Sequence, residues 1–358
     1  MHPLFEPYQI ADLTIRNRFM RSPTTSYYSD DDGVLRDPII DYYDELSSGG
    51  VGLIVKGHLY VLESGKVHIG QAGISHDKHI SRLKELTSVV HRNNGAIIAQ
   101  ISFGGARSSV VERVAPSEYS EEDWVARALT EDEIGGIIEA FGNAAGRVMQ
   151  AGFDGVQIHG AHGYLISEFL SRHVNKRSDK WGGSLKNRMR LLLEVYRVVR
   201  ERVGNSLVGL KMNSDDFTKN GFMIEDSMKV AETICSHGLD LLEISGNGLG
   251  MDEQYYARAL HKDPALKELG FAGHAERIRE VTRPIPMALV QGFTRLSTMK
   301  AVIERGIADL VSMSRPLIRE PDLVNSLQAG QDEATCIRCN KCSGEEVFGK
   351  TMLKCQLD

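Results

Sequence analysis

Four of the chain's five cysteines crowd into its last stretch, Cys336, Cys339, Cys342 and Cys355, in the order C-x2-C-x2-C-x12-C. Four thiolates at such spacing are chemically suited to an iron–sulfur cluster or to structural zinc. A second stretch, "HGAHGYLISEFLS", begins at His159 and brings His162 and Tyr164 close behind it. Two imidazoles three residues apart suit a metal ion, a substrate oxygen, or packing alone. As a catalytic zinc site the pair is short of a ligand, because three protein ligands are usual and no H-E-x-x-H pattern supplies them.

Bulk properties narrow the class of molecule that these residues serve. The chain has 358 residues, 42% of them hydrophobic and 25% charged, with a net charge of −6. That balance draws it neither to nucleic acid nor to an anionic membrane, and a small-molecule substrate is expected. "MHPLFEPYQI" has no basic flank or apolar core of a signal peptide, and no apolar run approaches the roughly 20 residues of a membrane span. The reading is a cytoplasmic protein, and in a reducing compartment clustered cysteines read as metal or cluster ligands before disulfides.

Eight short apolar runs must position the chemistry: "NRFMRSP", "VGLIVKG", "AIIAQIS", "DGVQIHG", "LVGLKMN", "DLLEISG", "IPMALVQG" and "ADLVSMS". Most are continuously apolar, as parallel strands buried on both faces require. Helical patterns separate them, among them "DKHISRLKELTSVVHRNNG", "TEDEIGGIIEAFGNAAGRVMQAG" and "LKNRMRLLLEVYRVVRERVG", several closing on a Gly suited to a C-cap. The alternation predicts a single (β/α)8 TIM barrel over residues 1–330 with a short cysteine-rich tail over 331–358. An open doubly wound sheet is the competitor, but no G-x-G-x-x-G follows the first strand. Long connections after strands three and six are candidate loops over the active site.

In such a barrel the active site lies at the C-terminal strand ends. Strand one ends in Ser22, Pro23, Thr24 and Thr25, with Tyr27 beyond, strand two in Lys56 and Gly57, and strand three in Gln100. Strand four delivers His159, His162 and Tyr164, strand five Lys211, and strand six Ser245 and Gly246. Strands seven and eight end in Gln291, Gly292, Ser314 and Arg315, which fits a phosphate site with Gly292 admitting the anion and Arg315 binding its oxygens. An ordinary glycine turn and a surface arginine are the plainer alternative.

Together these stretches resemble the old yellow enzyme family of FMN-dependent ene-reductases. The resemblance is carried by "NRFMRSP", "AQISFGGAR", "HGAHGYLISEFLSRHVNKRSDKWGGSLKNR" and "GIADLVSMSRPLIREPD" and spans essentially the whole barrel. It implies FMN as cofactor and NADH or NADPH as electron donor, bound directly over the flavin. Gln100 is implied at the flavin's pyrimidine edge and Lys211 beside its N1 and O2, where a cation stabilises the charge left by reduction. Pro23, Thr24, Thr25, Gly57, Gly292, Ser314 and Arg315 complete the implied cofactor contacts. His159 and His162 would hydrogen-bond a substrate carbonyl, hydride from flavin N5 would attack the β-carbon, and Tyr164 would protonate the α-carbon. Tyr27 would stand on the substrate side. Arg177, Asp179, Gly182, Gly183, Asn187 and Arg188 are expected to brace the helix after strand four.

The sequence also departs from the family. Thr25 replaces a cysteine that tunes the flavin in one branch, and Ser314 replaces a glycine common in the phosphate loop. The second histidine separates the chain from the dienoyl-CoA reductase branch. The closing cysteines are similar to the segment that holds a [4Fe-4S] cluster in trimethylamine dehydrogenase and its relatives. Because the sequence closes three residues past Cys355, three readings stay open: a cluster fed by a separate electron-transfer partner, structural zinc, or free thiols. The expected function is reduction of an activated C=C bond. Its rivals are a flavin dehydrogenase or demethylase passing electrons to the cluster, and a metal-dependent aldolase or hydrolase using His159 and His162. A homo-oligomer is expected, its order not fixed by the sequence.

Overall fold

The computed structural model describes residues 2–357 apart from 122, 267, 345, 348 and 349. An antiparallel hairpin, β1 (Tyr8–Ile10) and β2 (Leu13–Ile15), comes first. Three barrel strands follow: β3 (Phe19–Thr24), β4 (Leu53–Tyr60) and β5 (Ala96–Ser102). The long connection after β5 carries a small sheet of β6 (Arg113–Ala115), β7 (Tyr119–Glu121) and β8 (Trp124–Ala128). The barrel then resumes with β9 (Gly155–Gly160), β10 (Leu207–Asn213), β11 (Leu241–Ser245), β12 (Met287–Val290) and β13 (Leu310–Met313). Parallel pairing of β13 with β3 closes it, and each of the eight apolar runs forms its strand.

The hairpin and the small sheet were not legible as strands in the sequence. The hairpin has a clear physical task. Its Ile10 and Ile15 join Met20, Val55, Ile98 and Leu310 in one buried cluster that fills the N-terminal end of the barrel.

Side chains on a strand alternate between faces, so residues two apart point the same way. Two residues beyond Met20, Val55, Ile98, Leu241 and Leu310 stand Ser22, Gly57, Gln100, Glu243 and Ser312. The barrel interior therefore changes from hydrocarbon to a buried polar layer one step up the strands. Lys56 points the other way, with its ammonium 5.6 Å from the Tyr43 ring. Burial, reinforced by Arg21, lowers its pKa to about 7.

The helices obey local rules. Thr130 caps Glu131–Gln150 in a capping box with Glu133, satisfying otherwise orphaned N–H groups. Arg190–Val203 stops at Gly204, whose φ of 65° suits glycine. The helix Ile80–Arg92 instead turns off through Asn94, at φ 54°. The expected bracing group behaves structurally: Arg177 pairs with Asp179 at 2.6 Å and donates to the Pro116 and Leu129 carbonyls, tying the loop after β4's neighbour β5 to the segment after β9. Arg188, fully buried, pairs with Asp226 at 2.8 Å. Among the described residues no helix is long and apolar enough to cross a membrane.

Candidate active site

The polar layer is one connected network. Gln100 Nε2 donates to Gln157 Oε1 at 2.8 Å, and Gln157 Nε2 donates to Glu243 Oε2 at 2.9 Å. Glu243 Oε1 accepts from Ser22 Oγ and Ser312 Oγ, each at 2.8 Å, and from Lys211 Nζ at 3.1 Å. Burial lowers the Lys211 pKa, while the Glu243 carboxylate works to raise it. A buried charge without such a partner would be costly, so the pair and its donors keep an ammonium inside the barrel.

Above this layer stand imidazoles and phenols. His159 and His162 meet edge to face with ring centroids 5.1 Å apart, and Tyr164 meets His159 the same way at 4.7 Å. The Ala161 N–H donates to His159 Nδ1 at 3.3 Å, which leaves the ring proton on Nε2. His162 Nε2 lies 2.7 Å from Ser245 Oγ, and the backbone N–H of His162 donates to Asn213 Oδ1 at 3.1 Å. The second contact holds a backbone at φ 63°, an uncommon region for a residue with a Cβ. Burial, with lesser repulsion from Lys211 and Arg107, lowers His162 to about 3. Burial likewise holds His159 well below the usual histidine range. Both rings are neutral near pH 7 and act as hydrogen-bond donors, not cations. Burial raises Tyr164 to about 12, so its phenol keeps its proton.

These residues surround a hollow with two lobes. One, about 370 Å³, is lined by Pro23, His162, Lys211, Gly292, Ser314 and Arg315, among others. The other, about 200 Å³, is lined by Pro23, Thr24, Thr25, Tyr27, Gln100, His159, His162, Tyr164, Lys211 and Ser314. The lobes share Pro23, His162, Lys211 and Ser314. Gly57 differs from the rest: a Cβ there would stand 2.3 Å from Pro23 Cβ, so it makes room for Pro23. Gly292 lines the hollow, yet its φ of 94° and missing Cβ answer to the chain behind it, where a Cβ would meet the Glu268 carbonyl at 1.9 Å. Ser314 Oγ lies 2.8 Å from Thr24 Oγ1, joining the ends of β13 and β3.

The arrangement suits a flat ligand with a polar edge and an anionic tail. The amide of Gln100 and the ammonium of Lys211 are the groups that could meet such an edge. The larger lobe is also lined by Arg315 and by Arg338, which sequence reasoning did not place at the site. Arg315 donates to Asn340 Oδ1 at 2.5 Å, and Arg338 to the Gly292 carbonyl at 3.4 Å. The cysteine segment thus packs on the end of the hollow that carries these arginines.

Cys336, Cys339, Cys342 and Cys355 all line one small cavity together with Arg315, Arg319 and Arg338. Arg319 Nη1 is 3.5 Å from Cys355 Sγ. Among the described residues no three His, Cys, Asp or Glu side chains are grouped to hold a metal ion. This applies to His159 and His162 as well, each already engaged through one ring nitrogen.

Sequence reasoning missed Gln157, Glu243 and His58, which lie on or beneath the hollow. A signal was present for the first two: each is a polar residue two positions before an expected strand-end residue, Gln157 before His159 and Glu243 before Ser245, and so shares its inward face. His58 lies past the expected end of its strand, which runs on to Tyr60.

The chain is 33% identical over 368 residues to NADH oxidase of Thermoanaerobacter brockii, covering 99% of this chain and 56% of that protein. It therefore spans about half the length of that curated relative. An NADPH dehydrogenase of Geobacillus is 34% identical over 322 residues, covering 89% of this chain and 91% of the relative. Among solved structures, an old yellow enzyme homologue from Zymomonas mobilis superposes with a TM-score of 0.78 at 27% identity, covering 94% and 95% of the two chains. The description "NADH:flavin oxidoreductase / NADH oxidase family" matches residues 3–333, and it is to this family that the chain belongs.

Proposed function

We propose that the protein is an FMN-dependent, NAD(P)H-consuming oxidoreductase that reduces the C=C bond of α,β-unsaturated carbonyl compounds. The observation that carries this reading is the meeting of Gln100, Lys211, His159, His162 and Tyr164 around one hollow at the strand ends. Residues 1–330 form the FMN-binding unit and 331–358 an appended segment. FMN, when bound, supplies the hydride.

The chain's own residues do the rest. Gln100 and Lys211 hold the polar edge of the ring, with Pro23, Thr24 and Thr25 against it. Gly292, Ser314 and Arg315 frame the phosphate end. Lys211 brings a fixed positive charge that needs no rearrangement when negative charge develops beside it. His159 and His162, both neutral, donate to the substrate carbonyl oxygen and draw electron density from the alkene. Ser245 orients His162, and Tyr27 closes the substrate side. Tyr164 holds its proton until carbanion character grows at the α-carbon, then gives it up. Family membership displaces the metal-dependent aldolase or hydrolase alternative, and the His pair has no third ligand among the described residues.

A second reading rests on one further observation, the convergence of four cysteines on a cavity that borders the larger lobe through Arg315 and Arg338. In this reading they take up a [4Fe-4S] cluster and an electron-transfer partner docks nearby, as suits a dehydrogenase or demethylase. The thiol donor set fits, and the arginines offset its charge. The discriminating experiment is turnover of 2-cyclohexenone with NADH or NADPH by FMN-loaded protein. Steady consumption with saturated product is expected; flavin reduction by NAD(P)H without enone turnover would overturn the first reading in favour of the second.

A further inference from the structure

The substrate lobe contains a third imidazole, His58, and the hydrogen bonds behind it determine which of its nitrogens carries the proton. His58 is 6% exposed and lines the smaller lobe beside His159 and Tyr164. Its ring stacks on Tyr164 with centroids 5.0 Å apart and meets the edge of His159 at 5.6 Å. Its Nδ1 is 2.6 Å from Ser102 Oγ and 3.1 Å from Gln71 Nε2.

Gln71 is itself fixed. Its Oε1 accepts the Val67 N–H at 2.7 Å, so its amino end is the one turned toward His58. An amide NH2 has no lone pair with which to accept, and His58 Nδ1 must therefore be the acceptor. Burial keeps the ring neutral. The single ring proton then sits on Nε2. That N–H is buried and has no partner, while Gln71 and Ser102, fully buried behind the ring, hold it in place. An orphaned buried donor costs about 1–3 kcal/mol, and such groups in folded proteins call for a function.

We propose that His58 Nε2–H is a third donor to the substrate, so that the preferred substrates carry a second acceptor oxygen on the same conjugated frame, as enediones, quinones and unsaturated dialdehydes do. This rests on the ene-reductase reading of the hollow. His159 and His162 take the oxygen that activates the alkene, and His58 takes the other. Because all three rings are neutral donors, the second oxygen is a carbonyl.

The test uses binding and needs no turnover. FMN-loaded protein is titrated with the three isomeric hydroxybenzaldehydes and with the matching trifluoromethylphenols, which acidify the ring hydroxyl without offering a carbonyl. Dissociation constants are read from the flavin absorption bands. At least one aldehyde is expected to bind about tenfold more tightly than its fluorinated partner, or about 1.4 kcal/mol. His58→Phe, which preserves the stack on Tyr164, should bring that ratio close to one. An aldehyde advantage that is absent, or that survives in His58→Phe, overturns the proposal. If His58→Phe does not fold, the wild-type ratio still decides, because equal binding of the two series refutes a carbonyl contact. Enone turnover is scored separately: turnover without aldehyde preference sinks this proposal alone, whereas preference without turnover sinks the ene-reductase reading alone.

Discussion

Lys211 Nζ donates to Glu243 Oε1 at 3.1 Å inside the barrel, and both side chains are almost fully buried. The pair lies on adjacent parallel strands in direct register, Lys211 on β10 against Glu243 on β11. The cation expected beside the flavin is therefore held in place by a carboxylate of its own. Lys211→Met strands Glu243 in the interior and should lower stability by about 3–5 kcal/mol, as loss of one partner of a buried pair does. Lys211→Met combined with Glu243→Leu removes both charges and should recover much of the loss. Urea midpoints of the single and double variants measure this, and a double variant as unstable as the sum of the singles would show that the two act independently.

Tyr164 retains its proton, with a pKa near 12, because it is buried; the Arg107 charge only partly counters this. Tyr164→Phe keeps the ring against His159 and removes only the transferable proton. Reduction of an enone by the pre-reduced enzyme should slow by about 10²–10⁴-fold, the usual contribution of a positioned acid. Flavin reduction by NAD(P)H should change by less than about tenfold, since it draws no proton from this group. Stopped-flow measurement of the two half-reactions separates them. Equal slowing of both would assign Tyr164 to packing.

Acid should destabilise the protein more than its ordinary composition suggests. His58 and His159 are held well below the usual range, and His162 near 3, against an unfolded value of about 6.5. Their folded pKa values are depressed, so on lowering the pH the unfolded chain takes up protons first. The stability these groups confer is intact above pH 6.5 and is lost as the pH falls toward 3. Each contributes a slope of up to about 1.4 kcal/mol per pH unit in that window. Thermal midpoints from pH 8 to 4 should hold steady and then fall, and His162→Asn should flatten the fall by about one proton's slope. An unchanged slope would mean that His162 is as easily protonated folded as unfolded.

How much of this was legible follows from parity and from contact. The eight strands could be read because each is a short apolar run, and the strand-end residues because barrels place chemistry there. Gln100 and Lys211 stand out as polar groups in such runs. Glu243 stands in "DLLEISG" just as plainly, but its meaning depends on Lys211 across the register, which one strand cannot show. Gly292 was expected to admit an anion and Gly57 to touch the cofactor, whereas the neighbours that exclude a Cβ there are Glu268 and Pro23, distant in sequence. The role of His58 was invisible for the same reason: its tautomer is set by Gln71 and Ser102. The place of Arg338 at the hollow could not be read because nothing in "CIRCNKC" says that the segment folds back over the barrel mouth.

That fold-back makes the cysteine segment testable together with the active site. The Leu353 N–H donates to the Ser26 carbonyl at 2.9 Å, one residue from Tyr27 on the smaller lobe. Burial raises the Cys342 pKa, with the nearby Cys336 adding to it and Arg315 opposing it. A thiol raised in this way stays protonated unless a metal takes the proton's place. On the cluster reading, protein purified without air should show a broad shoulder beyond the flavin bands that reductant bleaches, with about four irons per chain. Cys339→Ser should remove the shoulder, keep the flavin bands and raise the KM for an enone, as the strap beside Tyr27 loosens. One zinc per chain and no shoulder would assign the cysteines to structural zinc instead, and a KM unmoved by Cys339→Ser would uncouple the segment from the substrate lobe.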